Sequence, residues 1–196
     1  VLLSPAGDME SLKAAIYAGA DEVYFGLSDF NARKGAKNFS INEAKEAILL
    51  CRLYGVKVNI TLNTLLYAGE YSAAVRLVDE MEKDLPPDAY IIQDIGLAYE
   101  LKLNFPHISL HASTQMQVHG SYGNNLLKRL GFTRIVLARE MTREDIKIFA
   151  SSGIETEVFV HGALCVCRSG GCLMSSMIGK RSGNRGECAY PCRMKY

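Results

Sequence analysis

Apolar positions along this chain switch repeatedly between two periods. Short runs rich in Val, Ile, Leu, Tyr and Phe occupy residues 1–3, 22–26, 56–62, 89–92, 108–111, 134–138 and 155–160. Their length and β-branched content predict strands. Between them, apolar residues recur every three or four positions, as at Leu12, Ala15 and Ile16, and predict helices. Polar start signals stand where those helices should begin. Asp8 can cap the first, Ser40 and Glu43 form a capping box for the second, and Thr142 and Asp145 pair before the last. Further helices are expected over residues 71–85, 96–104 and 124–130. Gly19, Gly55, Gly131, Gly153, Pro86-Pro87 and Pro106 supply the stops.

Seven strands alternating with six helices predict an α/β fold with a parallel sheet and crossover helices. No GxGxxG follows the first strand, so the pattern gives no support to a dinucleotide-binding sheet. Units of this length fit a (β/α), TIM-barrel-like architecture, incomplete here because an eighth strand is not in the sequence. Barrel enzymes gather polar residues at the C-terminal ends of their strands. Asn63, Gln93, Asp94, Ser113, Gln115, Arg139, Glu140 and His161 stand there. Asp94, Gln115, Arg139, Glu140 and His161 are the candidates for catalytic work, and Asn63 and Ser113 for holding substrate. Plainer roles compete. Asp94 and Glu140 suit the first turns of the helices that follow them, and Arg139–Glu140 suits a rim ion pair. His111 suits a barrel interior.

Past residue 160 the periodicity stops and the cysteines begin. Cys165, Cys167, Cys172, Cys188 and Cys192 lie in a Gly- and Ser-rich stretch with Arg168, Arg181, Arg185 and Arg193, whereas residues 1–160 carry only Cys51. That contrast predicts a barrel portion over residues 1–160 and a metal- or cluster-binding segment over 161–196, continuing into a further C-terminal part. Cys51, beside Ile48, Leu49 and Leu50, reads as a small buried hydrophobe. Met174 and Met177 read as core packing.

Clustering at one end argues against a disulfide framework, which spreads cysteines through a small secreted chain. Cys188-x3-Cys192 fits a zinc knuckle, but Cys165-x6-Cys172 is too wide for its partner. Irregular spacing on a Gly-rich loop suits an iron–sulfur cluster. Thiolates suit both metals, so spacing leaves zinc and iron–sulfur open.

Composition narrows the partners. The chain is 48% hydrophobic and 22% charged with a net charge of +1, so no global field draws it to nucleic acid or membrane. No apolar run reaches bilayer length and no signal-peptide pattern opens the chain, which makes a cytoplasmic protein the expectation. Neither HExxH nor GxSxG occurs, so peptide hydrolysis gains no positive mechanism from the motifs.

Specific stretches resemble a known family. Glu157-Val-Phe-Val-His161-Gly-Ala-Leu-Cys165, then Ser169-Gly170-x-Cys172-Leu-Met-Ser175-Ser176, is similar to the signature of the peptidase U-32, collagenase-like family. Asn184-Arg185-Gly186-x-Cys188-x-x-Pro191-Cys192-Arg193 resembles its next block. So do Leu3-x-Pro5-Ala6-Gly7, Gly19-Ala20-Asp21-x-Val23-Tyr24-x-Gly26, Ser113-Thr114-Gln115 and Leu137-Ala138-Arg139-Glu140. The resemblance implies more than the peptidase name. Relatives are oxygen-independent or prephenate-linked hydroxylation proteins that act on tRNA uridine, on an rRNA cytidine or in ubiquinone synthesis, and they carry a [4Fe-4S] cluster. By position, Cys165, Cys172 and Cys188 are the implied ligands, with Cys192 or a later cysteine as the fourth. Serine often replaces Cys167 in related sequences, so Cys167 is not an implied ligand. The implied partner is RNA, with Arg168, Arg181, Arg185 and Arg193 as candidate phosphate contacts. A peptide substrate and a homo- or hetero-oligomer with a related subunit are the other implications.

Overall fold

The computed structural model describes residues 1–196 apart from Ser121, Ala163 and Tyr196. One residue of the motifs above, Ala163, therefore lies outside the described residues. Seven strands follow one another across a single sheet in chain order, every neighbouring pair parallel. They are β1 (Leu3–Pro5), β2 (Glu22–Gly26), β3 (Lys57–Leu62), β4 (Ala89–Ile92), β5 (Leu110–Ala112), β6 (Phe132–Val136) and β7 (Glu155–Glu157). The crossovers carry α1 (Met9–Tyr17), α2 (Ile41–Leu53), α3 (Tyr71–Asp84), α4 (Ile95–Asn104), α5 (Gly123–Arg129) and α6 (Arg143–Ala150). A seventh helix, α7 (Met174–Gly179), belongs to the cysteine block.

Helix starts follow from local chemistry. Asp8 with Ser11, Ser40 with Glu43, and Thr142 with Asp145 each close a reciprocal capping box, satisfying amides that the first turn leaves free. Gly19, Gly55, Gly131 and Gly153 turn the chain at positive φ after helices, where a Cβ would strain the backbone.

Strand alternation divides the sheet into two unlike faces. Val23, Phe25, Val58, Ile60, Leu62, Tyr90, Ile92, Leu110 and Ile135 pack against the helices in one apolar core, joined by Leu12, Ile48, Met81, Leu97 and Leu101. Cys51 sits in it with 0% exposure, and its thiol is pushed up to about 11 by burial, as expected of a packing residue. The opposite face carries polar groups instead. Glu22, Asn59, Thr61, His111 and Arg134 are all buried there. Arg134 donates two hydrogen bonds to Glu22, at 2.6 and 2.9 Å, and one to Glu155 at 2.9 Å; Asn59 donates to Glu22 at 2.9 Å.

That ion pair reports the curvature of the sheet. β2 and β6 are four places apart in strand order, a separation of about 19 Å in a flat sheet. Two side chains cannot span that gap, so the sheet curls and its concave face closes on the Arg134 guanidinium. The result is the incomplete TIM-like barrel expected from the alternation. His111 lies on this face, and burial, then the nearby Arg134 charge, push its imidazole down to about 4. It is a barrel histidine, as expected, but its Nδ1 has no hydrogen-bond partner.

Some boundaries differ from the expectation. The seventh strand stops at Glu157 rather than 160, and Val158, Phe159 and Val160 are exposed. Their apolar run reads as strand, but they lie past the last strand pairing. Met177 is 82% exposed, so it is not core packing. It lies on a six-residue helix outside the barrel core.

Candidate functional site

Most of the strand-end residues lie together at one end of the sheet, and several are fixed there by different local demands. Asn63, just after β3, accepts from the Ala32 amide at 2.9 Å and so ties the β2–α2 loop to β3. Asp94 caps α4 through Leu97 N–H and also accepts from the Tyr71 hydroxyl and the Leu66 amide. The helix-capping role is therefore real. Tyr71 is pushed up by burial and by that bond to Asp94. Ser113, 1% exposed, accepts from Gln115 N–H and starts a tight turn after β5. Gln93 and Gln115 are the exceptions to this pattern of spent groups. Gln93 is 5% exposed, and both Oε1 atoms are buried without a hydrogen-bond partner. The only bond between these residues runs from Gln93 Nε2 to the Gln115 carbonyl at 3.5 Å, the weak end of the range.

The cysteine block lies across these strand ends and is fastened at two places. The first is at Ser169, 0% exposed. Its amide and hydroxyl both donate to Glu140, at 3.0 and 2.9 Å, while Arg139 Nε donates to the same hydroxyl at 3.2 Å. Arg139 and Glu140 thus converge on Ser169. His119 Nε2 meets Glu140 at 2.9 Å, and Gln117 donates to the Gly170 carbonyl at 2.9 Å. Burial pushes the Glu140 carboxyl up, but the bonds from His119 and Ser169 outweigh it and hold it at about 2. Gly170, at φ 70°, rests against the Gln115 carbonyl, which any Cβ would overlap.

The second fastening is at Arg185. Its guanidinium grips Glu70 with bonds of 2.9 and 2.7 Å, donates to the Leu65 carbonyl at 2.7 Å, and lies 3.9 Å from the centre of the Tyr67 ring. Leu65 N–H donates to the Asn184 carbonyl at 3.1 Å. Gly186, at φ 81°, packs on the Asn31 carbonyl where a side chain would not fit.

The cysteines flank these two fastenings: Cys165 and Cys167 precede Ser169, Cys172 lies between it and Arg185, and Cys188 and Cys192 follow Arg185. All five are free thiols; Cys165 is exposed and Cys167, Cys172, Cys188 and Cys192 are half-buried. Cys167 is pushed up by desolvation and then by the neighbouring Cys172 and Cys165 sulfurs, so three thiols share one neighbourhood. Ser175 reaches Cys188 Sγ at 3.7 Å and accepts from Ala189 N–H. Among the described residues, no three His, Cys, Asp or Glu side chains already form a metal-holding group. The donor chemistry nevertheless fits a thiolate-bound metal: soft ligands, partly accessible, on a Gly-rich loop.

Other candidates fall outside this framework. His161 is exposed and lies four residues beyond the end of β7. Arg168, Arg181 and Arg193 are exposed on the block, Arg193 donating to the Leu164 carbonyl at 3.3 Å. Arg185 is spent on Glu70, so it is the least available of the four for phosphate. Sequence reasoning gave His119, Glu70 and Tyr67 no role and met Ser169 only inside a family-like stretch. No local signal marks them, since each acts on a residue at least 21 positions away, or, for Tyr67, through a ring contact to Arg185.

Comparison with known proteins fits this arrangement. A family model described as peptidase family U32 matches residues 7–196. The 23S rRNA 5-hydroxycytidine C2501 synthase of Escherichia coli K12 is 42% identical over 196 residues, covering 100% of this chain and 29% of that protein. The tRNA hydroxylation protein P of Helicobacter pylori is 39% identical over 198 residues, covering 100% of this chain and 47% of that protein. The chain thus spans less than half the length of these curated relatives. The structure of the U32 peptidase Mk0906 superposes with a TM-score of 0.65 over 80% of this chain and 66% of that one; at 14% identity, the likeness concerns the fold.

Proposed function

This chain belongs to peptidase family U32, and we propose that it forms part of an enzyme that hydroxylates a pyrimidine base in tRNA or rRNA. The observation that carries the reading is the docking of the cysteine block on the barrel's C-terminal face, through Ser169 on Glu140 and Arg185 on Glu70. It sets a thiol-rich loop beside unspent polar groups where barrel enzymes work. Relatives at 42% and 39% identity are named for RNA hydroxylation.

In this reading Cys165, Cys172 and Cys188, with Cys192 or a later cysteine, would hold a [4Fe-4S] cluster. Bound there, the cluster would supply one-electron chemistry, or a Lewis-acidic iron, next to the substrate. Prephenate is the co-substrate that the resemblance suggests. The chain's own groups would do the positioning. Glu140 and Arg139 hold the Cys165–Cys172 loop through Ser169, and Arg185 holds the Cys188 side. Arg168, Arg181 and Arg193 would meet phosphates, which fix register rather than base identity. The protein would work in the cytoplasm, alone or with a related subunit.

Peptide hydrolysis finds less support in this geometry. Ser169 donates to a carboxylate and accepts from an arginine, and His119 bonds Glu140 rather than the hydroxyl. A serine nucleophile needs the opposite order, with histidine next to the hydroxyl.

The test is iron, sulfide and RNA analysis on full-length protein purified without oxygen. The expected outcome is brown protein with about four irons per chain. Cys165→Ala and Cys172→Ala should each lose the iron and the hydroxylated nucleosides together. Colourless, iron-free wild type that leaves RNA unmodified would overturn the proposal, as would full activity in both variants.

A further inference from the structure

A cleft of ≈ 550 Å³ opens between the ends of β4 and β5 and the cysteine block. Leu65, Ile95, Met116 and Leu173 supply its apolar walls, and Gln93 and Gln115 its polar floor. Two features of the floor matter together. Both glutamine Oε1 atoms are buried without a partner, and Gln93 is 5% exposed. Buried polar groups are normally paired and an unmade bond is costly, so a turn of each carboxamide toward a ligand in the cleft would supply the missing partners. Backbone from the block, at Gly170 and Gly171, also borders the space, so whatever sits there touches the thiol-bearing loop.

The lining also selects the ligand's charge. No Lys or Arg is among the described residues that line the cleft. Its one carboxylate, Asp94, is occupied by Leu97, Tyr71 and Leu66. A carboxylate or phosphate would find no cation in the lining itself, only the Arg168 guanidinium beside Gly171. A neutral, flat ring with N–H and C=O groups on one edge would meet the opposite case. Apolar side chains would cover its faces, and carboxamides its edge. A carboxamide offers a donor and an acceptor side by side, and turning it end for end matches either order.

We propose that this cleft receives the pyrimidine base itself, turned out of the RNA, with Gln93 and Gln115 pairing its polar edge. The choice of a pyrimidine rests on the RNA-hydroxylation reading. The pairing by the glutamines and the preference for a neutral ligand rest on the cleft alone. Phosphates and any anionic co-substrate would then lie outside it, toward the exposed arginines of the block. Both uracil and cytosine suit the floor, because each glutamine can turn. Enzymes that act on a base commonly extrude it into such a pocket, pairing its edge and packing its faces.

The experiment is saturation-transfer NMR on the full-length protein with uridine, cytidine and N3-methyluridine as probes. Wild type is compared with Gln93→Leu and Gln115→Leu, whose thermal melts confirm folding. Uridine and cytidine should receive saturation, and N3-methyluridine, which lacks the edge donor, about five-fold less than uridine, the effect of one lost hydrogen bond. Each leucine variant that melts like wild type should cut the uridine signal by about the same factor. Nucleosides that receive no saturation from wild type, or signals unchanged in both variants, would overturn the cleft. Hydroxylated nucleosides are measured on RNA treated with the same preparations. RNA hydroxylation without glutamine-dependent binding removes the cleft and leaves the activity standing. Glutamine-dependent binding without RNA hydroxylation keeps the cleft and removes the activity.

Discussion

In the barrel, Leu12, Ile48, Ile60, Leu62, Leu97 and Leu110 are at most 1% exposed, while in the cysteine block Leu164, Val166 and Met177 are 70–82% exposed. The barrel is held by apolar burial between sheet and helices, which is non-directional and spread over many residues. The block is held by a few directional contacts and by glycines that let backbones touch. A change in the barrel should therefore be felt by the whole domain. A change in the block should free a loop and leave the barrel standing.

The largest effect is expected inside the barrel, at Arg134→Met. It strands the buried Glu22, whose carboxyl the Arg134 bonds hold at about 2. Urea unfolding should show a loss of about 3–5 kcal/mol, the range for breaking a buried pair from one side. A loss below about 1 kcal/mol would put the pair on a par with exposed ones and break the contrast.

Gly170→Ala comes next and should act locally. The added methyl must displace the Gln115 carbonyl, at a φ that suits glycine. A strain of about 1–3 kcal/mol should fall on the docked loop. Limited proteolysis should cut the 161–172 stretch faster while the barrel's melt stays in place. A melt that drops with the cleavage would show that block and barrel form one cooperative unit.

Glu140→Gln should loosen the same loop by less, about 1 kcal/mol, because the side chain is 36% exposed and solvent screens it. It also sets a pH dependence. The folded carboxyl lies near 2 and the free one at 4.5, so the fastening is complete above about pH 4.5 and lost as pH falls toward 2. Hydrogen exchange of the loop amides across that window should show the loss in wild type and a flat profile in the glutamine variant. The smallest change is Arg185→Lys, which keeps the charge but loses the two-pronged grip on Glu70 and the stacking on Tyr67. About 0.5–1 kcal/mol of docking should go, measured by proteolysis near residue 185. An unchanged rate would make that contact decorative.

Legibility follows the same division. The α2 and α6 starts were readable because Ser40–Glu43 and Thr142–Asp145 act within one turn. Strands β2 and β4 were readable because they are short apolar runs between clear stops. At the site, Asp94 was legible as a helix cap, and Gln93 and Gln115 as strand-end polar residues. Their unspent carboxamides were not, since a side chain's partners depend on what the fold brings near.

The sequence by itself determined the element order, the helix starts, the parallel barrel-like sheet and the gathering of thiols in one block. Those are properties of neighbours along the chain: period, caps, turns and composition. Only the tertiary structure decided that Arg134 reaches Glu22 across 112 positions, and that Ser169 fastens to Glu140 and Arg185 to Glu70. It also decided that His161 stands outside the cluster of strand-end contacts. The reason is geometric. A curled sheet brings together residues far apart in the chain, and side-chain pairing falls off within a few ångströms. No pattern read along the chain carries those distances.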